Sequence, residues 1–398
     1  MSAVATAEAR LRAAAWFKRA ETQTIFAVLD GAAARTRAVG GVVRDTLLDR
    51  DRDNPDIDFA TELLPDEVVD RAKAAGIASY PTGIDHGTIT LRLGDTIAEV
   101  TTLRRDVETN GRHAQVAFGT DWAEDAQRRD FTLNALYAEP SGALFDPLEG
   151  LGDCLAGRVR FIGAPERRIA EDGLRVFRFF RFSASHGGEV LDPVGTAACA
   201  AAVGQLDHLS AERVGAEMTR MLSLPQVAST LRAMTRIGLE PLAEDTLLAL
   251  KAYERQSGRA QFHGRLALVL DHQSPDALRQ RWRLANADID AALATRAAST
   301  LLCAFNINEA VYRFGKYLDV AIDVAAVEAG WGEAGKSAMQ EQIDALDPPG
   351  FPIGGNDLLA LGMVPGPALG ATLERLERQW VESGFTLDRS ALLDLAKA

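Results

Sequence analysis

Two aspartates one residue apart, Asp56 and Asp58, constrain this chain more than any other feature. The surrounding residues 56–60 predict a strand, and a strand sends residues i and i+2 to the same face. Two carboxylates on one face form a hard-oxygen platform for Mg²⁺, which prefers one or two carboxylates together with substrate phosphates. Upstream, the pair Gly40-Gly41 allows backbone N–H groups to approach a phosphate closely. Together these features predict nucleotide chemistry.

The composition is that of an ordinary globular protein. With 398 residues, 47% of them hydrophobic and 25% charged, the chain should fold into two to four domains. No apolar run reaches the length of a transmembrane helix, so we expect no membrane association. Three widely spaced cysteines, Cys154, Cys199 and Cys303, form neither a disulfide framework nor a zinc pair. This pattern fits a reducing cytoplasm.

The net charge of −13 excludes a surface of uniformly positive potential but not a nucleic-acid site. The arginines are bunched along the chain while the acidic residues are diluted elsewhere. Local basic tracks are therefore expected at 104–112, 128–129, 158–181 and 251–283.

The pattern along the chain predicts an α+β N-terminal part followed by helices. Residues 88–93 and 96–102 alternate as strands around Gly94-Asp95, a hairpin turn, and residues 131–138 are a further strand candidate. From about residue 165 apolar positions recur at helical spacing. We predict three parts, an α+β part at 1–150, a helical part at 151–225 and a second helical part at 226–398.

A second motif runs from Arg128 to Ala135 and reads Arg-Arg-Asp-Phe-Thr-Leu-Asn-Ala. On structural grounds alone it is the start of a strand capped by charges. Two adjacent guanidinium groups are costly without anionic partners, and their planar shape suits a phosphate or a sugar edge. The motif therefore also fits a nucleotide contact.

A third motif contains Glu171, Asp172 and Arg175 and continues to Arg178. The spacing places Asp172 and Arg175 on one helix face, where they would form a surface salt bridge of about 0.5 kcal/mol or less. The alternative rests on hydrogen bonding, because a carboxylate only accepts and a guanidinium only donates. Side by side, the two groups match the amine and ring nitrogen of cytosine and adenine but not the edges of uracil and guanine.

In combination, the three motifs resemble the class II CCA-adding tRNA nucleotidyltransferases and bacterial poly(A) polymerases, relatives of DNA polymerase β. The resemblance covers about residues 37–225. It implies a polymerase-β-like sheet domain as the catalytic head at 1–150, a helical neck for base recognition at 151–225, and a helical body and tail for tRNA binding at 226–398. It further implies that Asp56 and Asp58 hold two Mg²⁺ ions. It also implies nucleotide contacts from three groups of residues: Gly40, Gly41 and Arg44 near the triphosphate; Arg128, Arg129 and Asp130 near the ribose and triphosphate; and Glu171, Asp172, Arg175 and Arg178 near the base.

The polar segment 101–113 is predicted to be a mobile loop that carries Arg104, Arg105, Asp106 and Arg112. In the family this loop helps the switch from C to A addition, and CC-only relatives lack most of it. Glu99 precedes the loop, and we favour a surface role for it over that of a third carboxylate. His86, in a segment that also resembles the family, is expected to be structural.

The expected function is template-independent addition of CCA to tRNA from CTP and ATP. Two enzymes of the same family remain possible, a poly(A) polymerase and an A-only-adding enzyme. A different class, an inactive tRNA-binding protein, is disfavoured by the intact Asp56, Asp58 and Arg129. The expected partners are tRNA and the two nucleotides, and no protein partner is evident.

Overall fold

A computed structural model of the chain describes residues 2–50, 53–84, 87–110 and 113–397. These residues form two compact units, the first of Met1–Leu209 with Ile237–Leu239 and the second of Ser210–Arg236 with Glu240–Ala398. Strands occur in the first unit and helices in both, as the α+β prediction requires. The predicted three-part division at residues 150 and 225 stays a prediction.

The first unit is built on a sheet of seven strands in the order β3-β4-β5-β2-β1-β8-β9. The only parallel neighbours in the described sheet are β2 and β5; the others are antiparallel. Two further strands, β6 and β7, pair only with each other. The strands are β1 (Thr36–Val39), β2 (Ile57–Thr61), β3 (Ala78–Gly83), β4 (Thr88–Leu93), β5 (Thr96–Thr102), β6 (Arg104–Asn110), β7 (His113–Phe118), β8 (Tyr137–Ala138) and β9 (Leu144–Phe145).

Alternation along the central strands separates a buried face from an exposed one. Ile57, Phe59, Ala98 and Val100 are at most 1% exposed and form part of the core, whereas Asp58 is exposed on the other face. An aromatic group packs beneath the sheet, where the rings of Phe26 and Phe59 meet edge to face at 4.9 Å. Core packing on one face thus leaves the other free for chemistry.

Helices complete the first unit: α1 (Ala3–Ala13), α2 (Ala15–Lys18), α3 (Ala20–Val28), α4 (Gly41–Leu47), α5 (Pro65–Ala74), α6 (Trp122–Gln127), α7 (Leu151–Leu155), α8 (Pro165–Glu171), α9 (Leu174–His186) and α10 (Pro193–Ala202). Helix α9 carries a buried aromatic side, and the rings of Phe161 and Phe179 stack at 5.4 Å. This packing holds α9 against the segment between α7 and α8, which contains Phe161.

The second unit, in its described part, is entirely helical. Its helices are α11 (Ala211–Leu222), α12 (Ala228–Arg236), α13 (Glu244–Ser257), α14 (Phe262–Val269), α15 (Pro275–Trp282), α16 (Asn286–Cys303), α17 (Ile307–Phe314), α18 (Leu318–Glu328), α19 (Glu333–Asp344), α20 (Gly355–Ala360), α21 (Pro367–Glu382) and α22 (Arg389–Lys397). Separate apolar clusters lie around Ile322 and around Trp380. No helix among the described residues is both long and apolar enough to cross a membrane.

Of three local predictions, the structure confirms one and corrects two. The hairpin at 88–93 and 96–102 is confirmed as β4 and β5. The strand predicted at 131–138 is wrong over most of its length, since a 3₁₀ turn at Thr132–Asn134 precedes the two-residue β8. In this turn Asn134 is 7% exposed and bonds to charged side chains, which overrides the local strand propensity.

The loop predicted at 101–113 is also corrected, because β6 and β7 form a hairpin there. Its register pairs Asn110 with His113, so a two-residue connection joins the strands. The sequence carries a signal for such a turn, a glycine at the first of the two connecting positions, Gly111.

Candidate functional site

The two aspartates of the first motif lie at the start of β2. Asp56 directly precedes the strand and Asp58 is its second residue. Both aspartates are exposed, whereas Ile57 between them and Phe59 after them are buried. The alternation therefore presents both carboxylates on one side of the sheet, as the spacing predicts.

Glu99 joins this pair through the parallel register of β2 and β5, which places it directly opposite Asp58. Glu99 is exposed, as expected, but it is not remote from the site. Although Asp58 is reached by solvent, desolvation by the surrounding protein raises the pKa of its carboxyl to about 6, and the negative charge of Glu99 adds to the increase. This position of Glu99 could not be predicted from the sequence, because register between distant strands leaves no local signal.

A carboxyl whose pKa is raised by acidic neighbours, as that of Asp58 is, belongs to a donor set that a hard cation would stabilise. Within the described part of the chain, no three acidic, histidine or cysteine side chains gather tightly enough to hold a metal ion by themselves. Asp56, Asp58 and Glu99 therefore fit an ion that also takes ligands from a substrate, as Mg²⁺ does.

The Gly40-Gly41 turn connects β1 to α4 beside the carboxylates. Gly40 has φ 75° and ψ −126°, a conformation that side chains disfavour, and its N–H donates to the carbonyl of Leu136 at 3.3 Å. A Cβ on Gly40 would lie 3.8 Å from Oδ2 of Asp58. The turn thus brings backbone that carries no side chain next to the carboxylate of Asp58.

Arg44 lies on α4 and is buried, with 7% of its side chain exposed. Its Nε donates to Oδ1 of Asp45 at 2.9 Å and its Nη1 to Oδ1 of Asn134 at 2.6 Å. Its positive charge lowers the pKa of Asp58, which places a fixed cation close to the carboxylates.

The second motif supplies Arg129, whose charge is the larger of the two arginine effects on the pKa of Asp58. Its Nε donates to Oδ2 of Asp125 and to the hydroxyl of Tyr137, each at 3.2 Å. Arg128 is held by the same carboxylate, with Nη2 2.6 Å from Oδ1. Asp125 is 1% exposed, and the two arginines lower its pKa although burial alone would raise it. The sequence analysis did not identify this anchor.

Asp130 of the same motif is 8% exposed and forms a salt bridge with α9. Its Oδ2 accepts from Nε and Nη2 of Arg178 at 2.8 and 2.6 Å, and its Oδ1 accepts from Nδ2 of Asn134 at 3.0 Å. The motif therefore joins two predicted nucleotide contacts, Asp130 and Arg178, across 48 residues of sequence.

The third motif needs a correction, because Asp172 and Arg175 do not share one helix. Helix α8 ends at Glu171, Asp172 is extended at φ −152° and ψ 104°, and α9 begins at Leu174. Oδ1 of Asp172 accepts from the N–H of Leu174 at 3.1 Å, which starts the second helix. This local bond from the backbone to the aspartate side chain, two residues apart, competes with helical continuity here.

Arg175 is fixed by three acceptors from two segments, α8 and the end of α6. It donates to the carbonyl of Arg168 at 2.9 Å, to Oε2 of Glu171 at 2.7 Å and to the carbonyl of Arg128 at 2.8 Å. Glu171 in turn accepts from Arg168 at 2.6 Å. The predicted base-reading arginine is therefore joined to the second motif through the backbone.

Of the predicted loop residues, Arg104 starts β6 and is half-buried. Arg105 and Asp106 belong to the same strand and are described by their backbone only, while Arg112 lies outside the described residues, as does His86. Their predicted roles stay predictions.

The geometry assembles acidic and basic groups for phosphate chemistry. Asp58, Asp56 and Glu99 provide hard oxygen ligands, while Arg44 and Arg129 place positive charge close to Asp58. In phosphoryl transfer, charge spreads over phosphate oxygens, and catalysis is mostly positioning and electrostatic stabilisation. The site has the groups for both tasks.

Comparison with known proteins agrees with this geometry. Residues 36–160 match the family model described as the poly A polymerase head domain. The mitochondrial CCA tRNA nucleotidyltransferase 1 of Mus musculus is 30% identical over 380 residues, which cover 91% of this chain and 86% of that protein. The CCA-adding enzyme of Limosilactobacillus fermentum is 31% identical over 378 residues, covering 90% and 91%.

A solved structure shows the same architecture. The CCA-adding enzyme of Bacillus stearothermophilus, determined in complex with CTP, superposes with a TM-score of 0.77 at 25% identity, covering 95% of this chain and 97% of that one. The nucleotidyltransferase head followed by helical domains is therefore confirmed as the fold. On these similarities, the chain belongs to the family of CCA-adding tRNA nucleotidyltransferases.

Proposed function

We propose that this protein adds C, C and A in turn to the 3′ end of tRNA, using CTP and ATP and no nucleic-acid template. The observation that carries the proposal is the position of Asp58, beside Glu99 and Asp56 and within reach of the charges of Arg129 and Arg44. This arrangement combines ligands for a divalent cation with cations for a polyphosphate.

In the proposed reaction the tRNA 3′-hydroxyl attacks the α-phosphorus of the nucleotide. A P–O bond forms to the tRNA, the bond to the bridging oxygen breaks, pyrophosphate leaves, and the hydroxyl proton is released. Asp56 and Asp58 would hold Mg²⁺, which when bound supplies charge neutralisation at the attacking and leaving oxygens. Arg44, with the Gly40-Gly41 turn, would hold the triphosphate.

The second motif would position the sugar and phosphates. Arg129 and Arg128 are preset by Asp125, so little conformational freedom is lost when an anion binds. Asp130 contributes by holding Arg178 and Asn134.

Base selection would rest on Asp172 and Arg175, assisted by Glu171 and Arg178. The acceptor–donor pair matches cytosine and adenine, as the hydrogen-bond inventory of the side chains requires. The extended backbone at Asp172 leaves its carboxylate next to the start of α9, and Glu171 fixes Arg175. Asp172 therefore lies just before α9 and Arg175 in its first turn.

The poly(A) polymerase alternative is favoured by one observation, the match of residues 36–160 to a head domain described by that name. Against it, the similar full-length proteins are CCA-adding enzymes. The β6–β7 hairpin supports addition of the terminal A, and it is compatible with an A-only enzyme.

As its location we propose the cytoplasm, a reducing compartment. Its three cysteines are all free thiols, Cys154 and Cys199 being buried.

The decisive experiment offers labelled CTP and ATP to tRNA transcripts that end before CCA, after C and after CC. Incorporation of two C residues and one A followed by arrest is the expected result, and long A tails from ATP alone would overturn it. Asp56→Asn and Asp58→Asn should abolish incorporation, while Asp70→Asn on the exposed side of α5 should not. Chelation should stop the reaction and Mg²⁺ should restore it.

A further inference from the structure

A chain of hydrogen bonds leaves α9 near its middle and returns to it at its last residue. It runs through residues of all three predicted nucleotide motifs. Its members, in order, are Arg178, Asp130, Asn134, Arg44, Asp45 and His186, joined by donor–acceptor distances of 2.6, 3.0, 2.6, 2.9 and 3.1 Å.

The two ends of this chain lie on one side of α9, because Arg178, Phe182 and His186 follow each other at intervals of four residues. Between them, the ring of Phe182 lies 5.1 Å from the guanidinium carbon of Arg44 and 5.4 Å from that of Arg178. Arg44 is thus held by an amide, a carboxylate and an aromatic ring.

His186 is the least expected member. Only 11% of its side chain is exposed, and its Nε2 lies 3.1 Å from Oδ1 of Asp45, while its Nδ1 lies 2.6 Å from the hydroxyl of Ser185. A carboxylate only accepts, so Nε2 must carry the proton, and Nδ1 of the neutral ring then accepts from Ser185. The ring is therefore fixed from both sides.

The charges around the ring favour this neutral form. Burial lowers the pKa of His186, and Arg44 and Arg50 lower it further, against the opposing effect of Asp45. Conversely, the hydrogen bond from His186 and the charge of Arg44 hold the pKa of Asp45 below its ordinary value although burial raises it. At neutral pH the pair consists of a neutral donor and a carboxylate.

We propose that His186 is a positioning residue for nucleotide binding, which acts through Asp45 to hold Arg44 in place beside Asp58. The proposal rests on the proposed function in one respect, the assignment of Arg44 to the triphosphate. Asp45 directs Arg44 through two nitrogens, Nε at 2.9 Å and Nη2 at 2.7 Å. His186 donates to the same oxygen, Oδ1, that accepts from Arg44, so its removal takes away one of the contacts that orient this carboxylate.

We expect the effect to fall on the triphosphate, because His186 reaches Arg44 through Asp45 alone. Arg178, assigned to the base, lies three hydrogen bonds further along the chain. His186→Ala should weaken binding of CTP and of ATP by the same factor, about tenfold, which is the usual lower size for loss of a supporting hydrogen bond. The KM for tRNA and the ratio of C to A incorporation should not change.

The test measures equilibrium binding of CTP and ATP by calorimetry, together with KM and kcat for each nucleotide and the melting temperature. Variants are His186→Ala, His186→Gln, Ser185→Ala and, as a control, His208→Ala at an exposed histidine of the same unit. Glutamine can replace the Nε2 donor and should restore much of the affinity. A cycle with Asp45→Asn should be non-additive if His186 acts through Asp45.

The outcomes separate this proposal from the proposed function. If the native protein incorporates nucleotides and His186→Ala binds both with unchanged affinity, the positioning role is overturned alone. A fall in melting temperature without a change in affinity also overturns it, since the role would then be structural. If the native protein incorporates nothing, the proposed function fails, and the binding data still decide the role of His186.

Discussion

Arg178 and Asp130, 48 residues apart in sequence, are joined by two hydrogen bonds to the same carboxylate oxygen, at 2.8 and 2.6 Å. The carboxylate is buried and the guanidinium is about one-third exposed. Burial raises the pKa of Asp130, but Arg178 and the donors around it lower the pKa below its ordinary value. The salt bridge therefore keeps a negative charge inside the protein and fastens α9 to the second motif.

Removing the guanidinium of Arg178 should destabilise the protein, because the buried carboxylate of Asp130 depends on its charge. Arg178→Ala leaves the charge of Asp130 without its cation, and we expect about 2 kcal/mol of destabilisation, less than for a fully buried pair because Arg178 is partly solvated. The melting temperature of the purified protein measures this, and nucleotide incorporation should fall with it. Arg167→Ala, at a side chain 77% exposed, should change stability by less than about 0.5 kcal/mol. Equal effects of the two variants would contradict the assignment.

The backbone conformation of Gly40 leads to a second prediction, which concerns the stability of the turn beside Asp58. Because φ 75° and ψ −126° disfavour a side chain, Gly40→Ala should cost about 1–3 kcal/mol and shift the turn beside Asp58. Gly41→Ala is the matched stability control, since Gly41 begins α4 and its added Cβ would make only an ordinary contact at 3.8 Å with Arg44. Thermal unfolding of both variants checks the difference. Identical melting temperatures would show that the turn relaxes without strain.

The β6–β7 hairpin can be removed without cutting the seven-stranded sheet. Its flanks are already joined, since the N–H of Gly119 donates to the carbonyl of Leu103 at 2.9 Å, and two glycines can replace residues 104–118. We expect the shortened protein to keep C addition and to lose addition of the terminal A. Gel analysis of products on tRNA ending in CC measures this. Unchanged A addition would remove the hairpin from the specificity mechanism, and loss of C addition with an intact fold would assign it a general role.

Glu240 in the second unit predicts a pH dependence of stability. It is 1% exposed, and burial raises the pKa of its carboxyl from 4.5 to about 7 although Arg281 donates to it at 2.5 Å. Between these values the folded state keeps a proton that the unfolded state releases, so stability falls as pH rises from about 4.5 to about 7. The difference of about 2.5 pKa units corresponds to about 3 kcal/mol at most.

Glu240→Gln should remove this part of the pH dependence. Melting temperatures at pH 5 and pH 8 should therefore differ less in the variant than in the native protein. Glu244→Gln, with a side chain 63% exposed, provides the control and should follow the native curve. A variant that keeps the full native slope would mean that Glu240 is ionised in the folded state throughout.

Local patterns were sufficient for several elements. Alternation predicted the hairpin of β4 and β5, and the Asp-x-Asp spacing predicted which face carries Asp56 and Asp58. Both inferences depend on the two-residue period of a strand, which a few neighbouring residues determine. The three motifs likewise indicated the family before any geometry was known.

Contacts between segments that are distant in sequence could not be predicted from such local patterns. Glu99 lies opposite Asp58 because β2 and β5 pair in parallel, and the register of such a pair is set by packing of the whole sheet. Asp172 lies between two helices, where its side chain accepts from the N–H of Leu174, an alternative that helical spacing does not reveal.

The sequence by itself therefore determined the chemical groups of this protein: a carboxylate pair, a glycine turn and two arginine-containing motifs. Only the tertiary structure decided their neighbours, including the buried Asp125 beneath Arg129 and the chain from Arg178 to His186 through Arg44. The physical reason is the distance along the chain over which each kind of interaction acts. Backbone periodicity acts over a few residues, whereas the partners of a buried charge are set by which segments pack together.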